Sequence, residues 1–417
     1  MKFSVSGGRR LVGKTSVQGA KNSILPILAA CVLCRGEVVL HNCPDLSDVV
    51  SAINILKHLG LCVEREGDTL CIVSTGITGC SVPDELMREM RSSALFLGAI
   101  LSESGCARVS MPGGCELGPR PIDMHISALK RLGAECDDER GEMYFTAPKG
   151  LVGTHISLWF PSVGATENIM LASAKAKGTT VITNAAREPE IVDLARFLNC
   201  CGARIRGAGS STIVIDGVDR LYACEYCVMP DRIAAVTFLS AAAITHGDIL
   251  VCDVNREDVM PALMPLEAAG CYIHANGDSI RLKAPERLRC MNIIKTLPHP
   301  GFPTDAQAII MALSTLCEGS TMFVETIFEN RFRHVGELLR MGADIKTEGK
   351  VAVVNGVNRL HPATVTSTDL RGGAALLLAC LSAEGESTLC DIEHIDRGYG
   401  HIETDLNLLG AEVLRIK

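Results

Sequence analysis

Apolar and polar positions follow the same order six times along the chain. Each repeat has a long apolar helix, a strand of alternating pattern and a second helix of mixed polarity. The second helix ends at a glycine that fits a left-handed C-terminal cap, and an alternating strand pair follows it. Because such self-similarity is typical of repeat architectures, the pattern predicts six units of about 70 residues. The six glycines are Gly60, Gly133, Gly202, Gly270, Gly342 and Gly410.

The second repeat contains an insertion. An earlier glycine in each repeat marks the end of the first helix, and the second glycine follows it after 24, 24, 23, 23 and 25 residues in five repeats. From Gly105 to Gly133 the interval is 28 residues. Insertions into a repeat tend to fall in a loop on its working face. The segment PGGCELGPRPID holds a thiol, Cys115, near Arg120 and behind two glycines, so it is the first candidate for chemistry.

The two ends of the chain complement each other. The sixth repeat stops at AEVLRIK, and the N-terminal FSVSGGRRLVGKTSVQGAKN parallels the tail of the fifth repeat. The first 20 residues are therefore expected to complete the sixth repeat. This predicts an α/β fold with three repeats per domain, the apolar helices being wrapped by sheets. One domain is discontinuous (1–20 and 230–417), the other is continuous (21–229), and the active site is expected in the cleft between them.

The first helix of every repeat begins with polar or charged residues. Helix N-termini favour anions, so equivalent starts are suited to a multiply charged anion. Taken singly, Ser162, Asp305 and Asp369 are ordinary capping residues. Capping does not explain cations at helix starts, and their repetition suggests a negative partner from outside the protein. These cations are Lys21, Arg91, Arg232 and Arg371.

Composition narrows the class of protein. A net charge of −8 and an aromatic content of 4% argue against nucleic-acid binding. The chain has no apolar run of transmembrane length, and its N-terminus has no apolar core of signal-peptide length, so neither a membrane span nor a signal peptide is expected. Its 19 cysteines predict free thiols in a reducing cytoplasm. The pairs Cys31/Cys34 and Cys224/Cys227 lack the further ligands of a structural zinc site.

An ordered series of motifs resembles a known family. The motifs are GAKNSILPILAA, PGGCELGPRPIDMHI, PSVGATENIM, NAAREPEIVD, PDRIAAVTFL, FPTDAQA, ENRFRHV, TDLR and HIDRGY. Over nearly its whole length the chain resembles the UDP-N-acetylglucosamine 1-carboxyvinyltransferases. The resemblance implies an inside-out α/β barrel in each domain. It also implies transfer of the enolpyruvyl group of phosphoenolpyruvate to the 3-hydroxyl of UDP-N-acetylglucosamine with release of phosphate, the first committed step of peptidoglycan synthesis, without a metal or organic cofactor.

The resemblance also assigns roles to individual residues. Cys115 is expected to act as general acid toward the enol methylene and to form a covalent phospholactoyl-type adduct. Asp305 is expected to accept the proton of the sugar hydroxyl. Lys21 and Asn22 are expected to contact phosphoenolpyruvate and the sugar. The remaining assignments are Arg120 and Arg397 on the phosphate and carboxylate, with Arg91, Arg331 and Arg371 near them; Arg120, Pro121, Ile122, Asp123 and Met124 along the nucleotide; Ser162, Val163 and Gly164 at the diphosphate; the backbone of Ile327 at the sugar; and Asp369 among the substrate-binding residues.

Two alternatives stay open at this point. The first is 3-phosphoshikimate 1-carboxyvinyltransferase, which shares the fold and the donor, although the PGGC, RPID and SVGAT segments argue against it. The second is a non-catalytic paralogue that binds the UDP-sugar without turnover. Some positions depart from the family pattern. Phe160-Pro161 precedes SVGAT where some members carry a basic residue, which puts one nucleotide contact in question. Ala234 and Val236 replace frequent Glu and Gly, which puts the local hinge packing in question.

Overall fold

The computed structural model describes residues 1–110, 122–139 and 142–417. Its strands are β1 (Lys2–Gly7), β2 (Val12–Ser16), β3 (Cys34–His41), β4 (Cys62–Glu66), β5 (Thr69–Ser74), β6 (Cys106–Ser110), β7 (Glu135–Glu139), β8 (Glu142–Thr146), β9 (His155–Ser157), β10 (Thr179–Thr183), β11 (Arg204–Arg206), β12 (Thr212–Asp216), β13 (Leu221–Tyr222), β14 (Glu225–Cys227), β15 (Asp248–Cys252), β16 (Tyr272–Asn276), β17 (Ser279–Lys283), β18 (Ile293–Lys295), β19 (Ser320–Val324), β20 (Asp344–Glu348), β21 (Val351–Asn355), β22 (Thr364–Thr366), β23 (Gly385–Cys390) and β24 (Val413–Ile416).

Its α-helices are α1 (Lys21–Cys31), α2 (Ser47–His58), α3 (Asp84–Glu89), α4 (Leu95–Ser104), α5 (Asp123–Arg131), α6 (Val163–Ser173), α7 (Pro189–Cys200), α8 (Arg232–Ile244), α9 (Arg256–Ala268), α10 (Thr304–Ser314), α11 (Val335–Arg340), α12 (Leu370–Ser382), α13 (Glu393–Asp396) and α14 (Ile402–Leu408). A short 3₁₀ helix covers Arg91–Ala94. No helix of the described chain is long and apolar enough to cross a lipid bilayer.

Each repeat forms a sheet with a common strand order. In the third repeat β9 runs parallel to β10, and β12 pairs antiparallel with both β10 and β11. The fifth and sixth sheets have the same arrangement. Among the described residues the sheets are, in repeat order, β13-β3-β5-β4 with β14 also beside β3, β6-β8-β7, β11-β12-β10-β9, β16-β17-β15-β2, β18-β19-β21-β20 and β22-β23-β1-β24.

The glycines after the second helices share one backbone conformation. Their φ angles range from 91° at Gly342 to 99° at Gly133, in the left-handed region predicted for a C-terminal cap. A side chain would be strained there, so glycine lets the chain turn from helix to strand pair. The earlier glycine series also has positive φ except in the fourth repeat, where His246 takes that conformation, with φ of 54°, one residue before Gly247.

The first helices of the repeats are the buried elements of the fold. Every residue of α8 is buried, as are α1, α6 and α10 beyond their first two residues and α12 from Arg371 to Leu381. Helices that are apolar on all sides belong in a core. Helices α8, α10 and α12 pack together in one core, and α1, α4 and α6 pack together in another. These buried helices and their sheets confirm the predicted α/β fold class.

Contacts divide the described chain into two compact units. The discontinuous unit contains residues 1–18 and 230–417, and the continuous unit contains 19–110, 122–139 and 142–229. Ala234 and Val236 are each 1% exposed within the core of the discontinuous unit. The apolar residues at these two departures from the family pattern are therefore accommodated by packing. Phe160 is half-buried, with its ring centroid 6.2 Å from that of Trp159.

The strands that precede α1 and α8 are exchanged between sheets. In the third, fifth and sixth repeats, the strand before the first helix runs parallel to the strand after it. Strand β2 precedes α1 but pairs in parallel with β15, which follows α8. Strand β14 precedes α8 but pairs with β3, which follows α1. Each exchanged strand thereby completes a sheet within its own unit.

This exchange corrects the expectation for the N-terminal residues. Strand β1 lies between β23 and β24 and completes the sixth sheet, as expected. Strand β2 instead belongs to the fourth sheet. Strand β14, which precedes α8, already pairs with β3 in the continuous unit. The position beside β15 is therefore open to β2.

Candidate active site

Asp305 lies in the first turn of α10 and binds two buried arginines. Its Oδ1 accepts a hydrogen bond from Arg331 Nη2 at 3.1 Å, and its Oδ2 accepts one from Arg371 Nη2 at 3.2 Å. Both arginine side chains are 2% exposed, whereas the Asp305 side chain is 28% exposed. The residue before the helix is Pro303, and Asp305 does not act as its cap. Its carboxylate is therefore held from the protein side with part of its surface accessible.

Arg331 is held by further contacts. Its Nε and Nη2 donate to the carbonyl oxygen of Thr304 at 3.1 Å and 2.9 Å. Its guanidinium carbon lies 5.7 Å from the ring centroid of Phe328. The two donors to Thr304 fix the plane of the guanidinium, so the Asp305 carboxylate meets a preset partner.

Asp369 caps the helix that carries Arg371. Its Oδ1 accepts hydrogen bonds from the backbone amides of Arg371 at 3.1 Å and Gly372 at 3.0 Å. Burial alone would raise the pKa of Asp369, but Arg331 and the Gly372 amide outweigh it and hold this pKa below its usual value. The structure gives the carboxylate of this predicted substrate-binding residue a capping role in α12.

His334 was missed by the motif assignments, although it lies within ENRFRHV. It is completely buried, and neither ring nitrogen has a hydrogen-bond partner among the described residues. Burial lowers the pKa of His334 to about 4; Asp369 opposes this shift and Arg331 adds to it. The imidazole is therefore neutral at neutral pH and adds no charge to the Arg331–Asp305 group.

Glu325 is a second residue that sequence reasoning missed. It is 2% exposed, and its Oε1 accepts from the backbone amides of Ile327 at 2.8 Å and Phe328 at 3.0 Å. Its Oε2 accepts from Thr304 Oγ1 at 3.0 Å. One buried carboxylate thus joins the Ile327 backbone to the start of the Asp305 helix. The sequence signal that indicates Glu325 is its position, as an acidic residue directly after strand β19.

Arg397 lies at the C-terminal cap of α13 and is half-buried. Tyr399 follows two residues later and is 2% exposed. The Arg371 guanidinium carbon lies 5.3 Å from the Tyr399 ring centroid. The discontinuous unit therefore brings Asp305, Arg331 and Arg371 into one group and packs the segment that carries Arg397 against it.

In the continuous unit Lys21 is the first residue of α1. Its Nζ lies 2.8 Å from Asp48 Oδ2, and the two side chains are 11% and 5% exposed. Asn22 follows in the first turn and is half-buried. Lys21 and Arg371 are two of the cations at helix starts, and the protein itself supplies a carboxylate to each of them.

Ser162 caps α6, and its Oγ accepts a hydrogen bond from the Ala165 amide at 3.3 Å. Val163 is the first residue of this helix and packs against the core. A Cβ on Gly164 would lie 3.2 Å from His125 Cε1. Glycine thus allows the His125 ring to lie close to the helix N-terminus.

Three acidic residues interact in the continuous unit. Glu167 is 4% exposed and Glu190 is 3% exposed. Burial raises the pKa of Glu167 well above its usual value, and Glu190 and Glu188 raise it further. Glu167 lies in PSVGATENIM, but the motif indicates no role for it. Within the described residues, no group of three or more His, Cys, Asp or Glu side chains is arranged to hold a metal ion.

The predicted nucleotide-lining residues are described only in part. Ile122 is 3% exposed and belongs to the core of the continuous unit. Asp123 begins α5 and is exposed, and Met124 is half-buried. Arg91 is the first residue of the 3₁₀ helix. Cys115, Arg120, Pro121 and the side chain of Arg91 lie outside the described part of the structure.

Comparison with known proteins defines the class of this fold and site. A family model described as EPSP synthase (3-phosphoshikimate 1-carboxyvinyltransferase) matches residues 5–406. UDP-N-acetylglucosamine 1-carboxyvinyltransferase 1 of Symbiobacterium thermophilum is 51% identical over 100% of this chain and 95% of the relative. UDP-N-acetylglucosamine 1-carboxyvinyltransferase 2 of Caldanaerobacter subterraneus subsp. tengcongensis is 48% identical over 100% of this chain and 99% of the relative. The chain belongs to the enolpyruvyl transferases and, among them, to the UDP-N-acetylglucosamine 1-carboxyvinyltransferase family.

Solved structures agree on the fold. The enolpyruvyl transferase NikO from Streptomyces tendae has a TM-score of 0.89 and 26% identity, covering 99% of this chain and 98% of that chain. EPSP synthase from Acinetobacter baumannii has a TM-score of 0.77 and 19% identity, covering 100% of both chains. At 19% identity, the similarity to EPSP synthase shows the fold alone.

Proposed function

We propose that this chain transfers the enolpyruvyl group of phosphoenolpyruvate to the 3-hydroxyl of UDP-N-acetylglucosamine and releases inorganic phosphate. The observation that carries the proposal is the identity of 48–51%, over the whole chain, to relatives named for this transfer. The reaction is the first committed step of peptidoglycan synthesis. We assign it to the cytoplasm, and the many cysteines of the chain suit that reducing compartment.

Asp305 is the base in this proposal. A sugar hydroxyl is a poor nucleophile and needs a group within hydrogen-bond reach to take its proton. Each carboxylate oxygen has more than one acceptor site, so the bonds to Arg331 and Arg371 leave capacity for the hydroxyl. The two buried arginines fix the orientation of the carboxylate, and its partial exposure supports access by the sugar.

The donor half of the reaction begins with a proton added to the enol methylene by Cys115. The neighbouring carbon becomes electrophilic and accepts the sugar oxygen, which gives a tetrahedral phosphate-bearing adduct. A proton then returns from the new methyl group to the Cys115 thiolate as the carbon–oxygen bond to phosphate breaks, and the enol ether of the product forms. Lys21, Arg120 and Arg397 stabilise the charge that the phosphate carries away. The thiol of Cys115 also forms the covalent adduct implied by the family.

Two backbone features suit the nucleotide sugar. The N-terminus of α6, with Ser162, Val163 and Gly164, offers amide groups and a favourable dipole to the diphosphate. The amide of Ile327 already donates to Glu325 at 2.8 Å. Its contact with the sugar therefore falls to the carbonyl oxygen.

A phosphate-release assay tests the proposed function. With phosphoenolpyruvate present, we expect turnover with UDP-N-acetylglucosamine and none with shikimate 3-phosphate. The reverse result would overturn the proposal in favour of a 3-phosphoshikimate 1-carboxyvinyltransferase. If wild type, Cys115→Ala and Asp305→Ala all bound the nucleotide sugar without turnover, the chain would be a binding paralogue.

A further inference from the structure

Residues 397–401, the Arg397 segment, join α13 to α14. The segment has the sequence RGYGH, and its last residue, His401, has a φ of 52°. A Cβ on Gly398 would lie 2.7 Å from Leu370 Cδ2, so the backbone passes close to the start of α12. Two glycines give the segment little side-chain packing of its own and much conformational freedom. The amides of Gly398 and Tyr399 donate to the Ile395 carbonyl oxygen, both at 3.0 Å, and tie the start of the segment to α13. Contacts from other elements fix the rest of the segment.

Arg415, on strand β24, holds both ends of the segment. Its Nη1 and Nη2 donate to the two oxygens of Asp396 at 2.9 Å and 2.8 Å. Its Nε and Nη2 donate to the two oxygens of Glu403 at 2.7 Å and 3.1 Å. The guanidinium carbon lies 5.0 Å from the Phe3 ring centroid. Asp396 directly precedes the segment and Glu403 follows two residues after it, so one planar group sets the separation of its ends.

Tyr399 anchors the inner side of the segment. Its hydroxyl lies 2.8 Å from Thr237 Oγ1, which is buried in α8. The ring packs against the Arg371 guanidinium. This anchor restrains the tyrosine side chain, but it makes no hydrogen bond to the peptide groups on either side.

Gln18 supplies those backbone contacts. Its Nε2 donates to the Gly398 carbonyl oxygen at 3.0 Å, and its Oε1 accepts from the Gly400 amide at 2.9 Å. Its own carbonyl oxygen accepts from the Asp231 amide at 2.8 Å, at the start of α8. Gln18 is the last residue of the N-terminal part of the discontinuous unit, three positions before Lys21. One half-buried amide thus binds the peptide groups on both sides of Tyr399.

We propose that Gln18 is a positioning residue that sets the Arg397 guanidinium for phosphoenolpyruvate. The inference rests on the proposed function, in which Arg397 binds the phosphate or carboxylate of that substrate. Gln18 acts through the backbone of the segment and does not itself touch substrate. Its primary amide is the required group, because one contact needs a donor and the other needs an acceptor.

The test is steady-state kinetics of the full chain carrying Gln18→Met, which keeps the side-chain length and removes both hydrogen bonds. We expect the KM for phosphoenolpyruvate to rise about tenfold, the size expected for two neutral hydrogen bonds, while the KM for UDP-N-acetylglucosamine changes less than about twofold. The matched control is Asn199→Leu. Asn199 makes the same donor and acceptor pair to Ile205, at 2.9 Å and 2.8 Å, within the continuous unit. This control should leave both KM values unchanged.

Gln18→Glu gives a second readout that a purely structural role would not produce. An ionised glutamate keeps the acceptor for Gly400 and loses the donor to Gly398, whereas a protonated one has both. We expect the ratio of variant to wild-type KM for phosphoenolpyruvate to fall as the pH is lowered from 8 toward 5. A larger fraction of the glutamate is protonated as the pH approaches its ordinary pKa of about 4.3.

The outcomes separate this inference from the proposed function. If wild type shows no turnover with the two proposed substrates, the proposed function and the positioning role of Gln18 are both overturned. If wild type is active and Gln18→Met has an unchanged KM for phosphoenolpyruvate, the positioning role alone is overturned. The same holds if Gln18→Met raises the KM values for both substrates equally. A pH-independent ratio for Gln18→Glu also contradicts it.

Discussion

Asp305 accepts a hydrogen bond from Arg371, a residue 66 positions further along the chain, at 3.2 Å. The arginine is fully buried by the start of α12 and the ring of Tyr399, and the aspartate is partly exposed. The pair therefore fixes an accessible carboxylate on a rigid support. This geometry agrees with the role of Asp305 as the base of the proposed reaction.

Substitution of Asp305 tests that role. Asp305→Asn keeps the size of the side chain but removes the base, so we expect kcat to fall by about 10²–10⁴. Binding of UDP-N-acetylglucosamine, measured by calorimetry, should change little. Glu257→Gln is the matched control, because Glu257 is an exposed acid in the first turn of α9 in the same unit. A variant of Asp305 with kcat close to that of wild type would exclude it as the base.

The two substitutions of Glu325 separate its acceptor function from its charge. Glu325→Gln retains an oxygen for the amides of Ile327 and Phe328, and we expect nearly normal kinetics. Glu325→Ala releases both amides and the Thr304 hydroxyl, so the KM for UDP-N-acetylglucosamine should rise about tenfold or more. Equal KM values for the two variants would show that Glu325 does not hold the backbone proposed to bind the sugar.

Breaking the Lys21–Asp48 pair should destabilise the continuous unit. Lys21→Met leaves a carboxylate that is 5% exposed without its cation, so we expect the free energy of unfolding in urea to fall by roughly 3 kcal/mol. The double variant Lys21→Met/Asp48→Asn should recover much of this loss because the buried charge is gone. If the double variant lost as much unfolding free energy as the two single variants together, the coupling between Lys21 and Asp48 would be contradicted.

The buried His334 predicts a specific dependence of stability on pH. Its folded pKa of about 4 lies below the unfolded value near 6.5, so its contribution is present above pH 6.5 and is lost as the pH falls toward 4. Protonation would also place a cation beside Arg331. We expect His334→Leu to lose less stability than wild type between pH 6.5 and 4, measured by urea unfolding. Parallel pH profiles would contradict the assignment of a neutral buried imidazole.

Local signals in the sequence predict much of the fold. The C-terminal glycines of the second helices all adopt the left-handed conformation because their backbone requirement is local, and even the two extremes, Gly133 at 99° and Gly342 at 91°, have similar φ angles. The apolar bodies of α8 and α12 predict burial for the same reason. The pairing of β2 with β15 could not be read from the pattern, because partner choice depends on which sheet position is left open.

The site is less predictable than the fold. Family motifs point to Asp305, Arg331 and Arg371, but their mutual hydrogen bonds join residues far apart in sequence. The charge of Lys21 at a helix start suggests an external anion, whereas Asp48, brought there by α2, already lies beside it. Glu325 and Gln18 act through backbone groups. A motif of reactive side chains does not indicate which residues elsewhere in the chain form hydrogen bonds with the backbone of that motif.

Competition between acceptors tests the central claim most directly. Wild type is incubated with phosphoenolpyruvate, UDP-N-acetylglucosamine and shikimate 3-phosphate together, and mass spectrometry identifies the acceptor that gains the enolpyruvyl group. We predict that only UDP-N-acetylglucosamine is modified and that Asp305→Asn modifies it far more slowly. Enolpyruvyl transfer to shikimate 3-phosphate alone, or to neither acceptor, would contradict the proposed function.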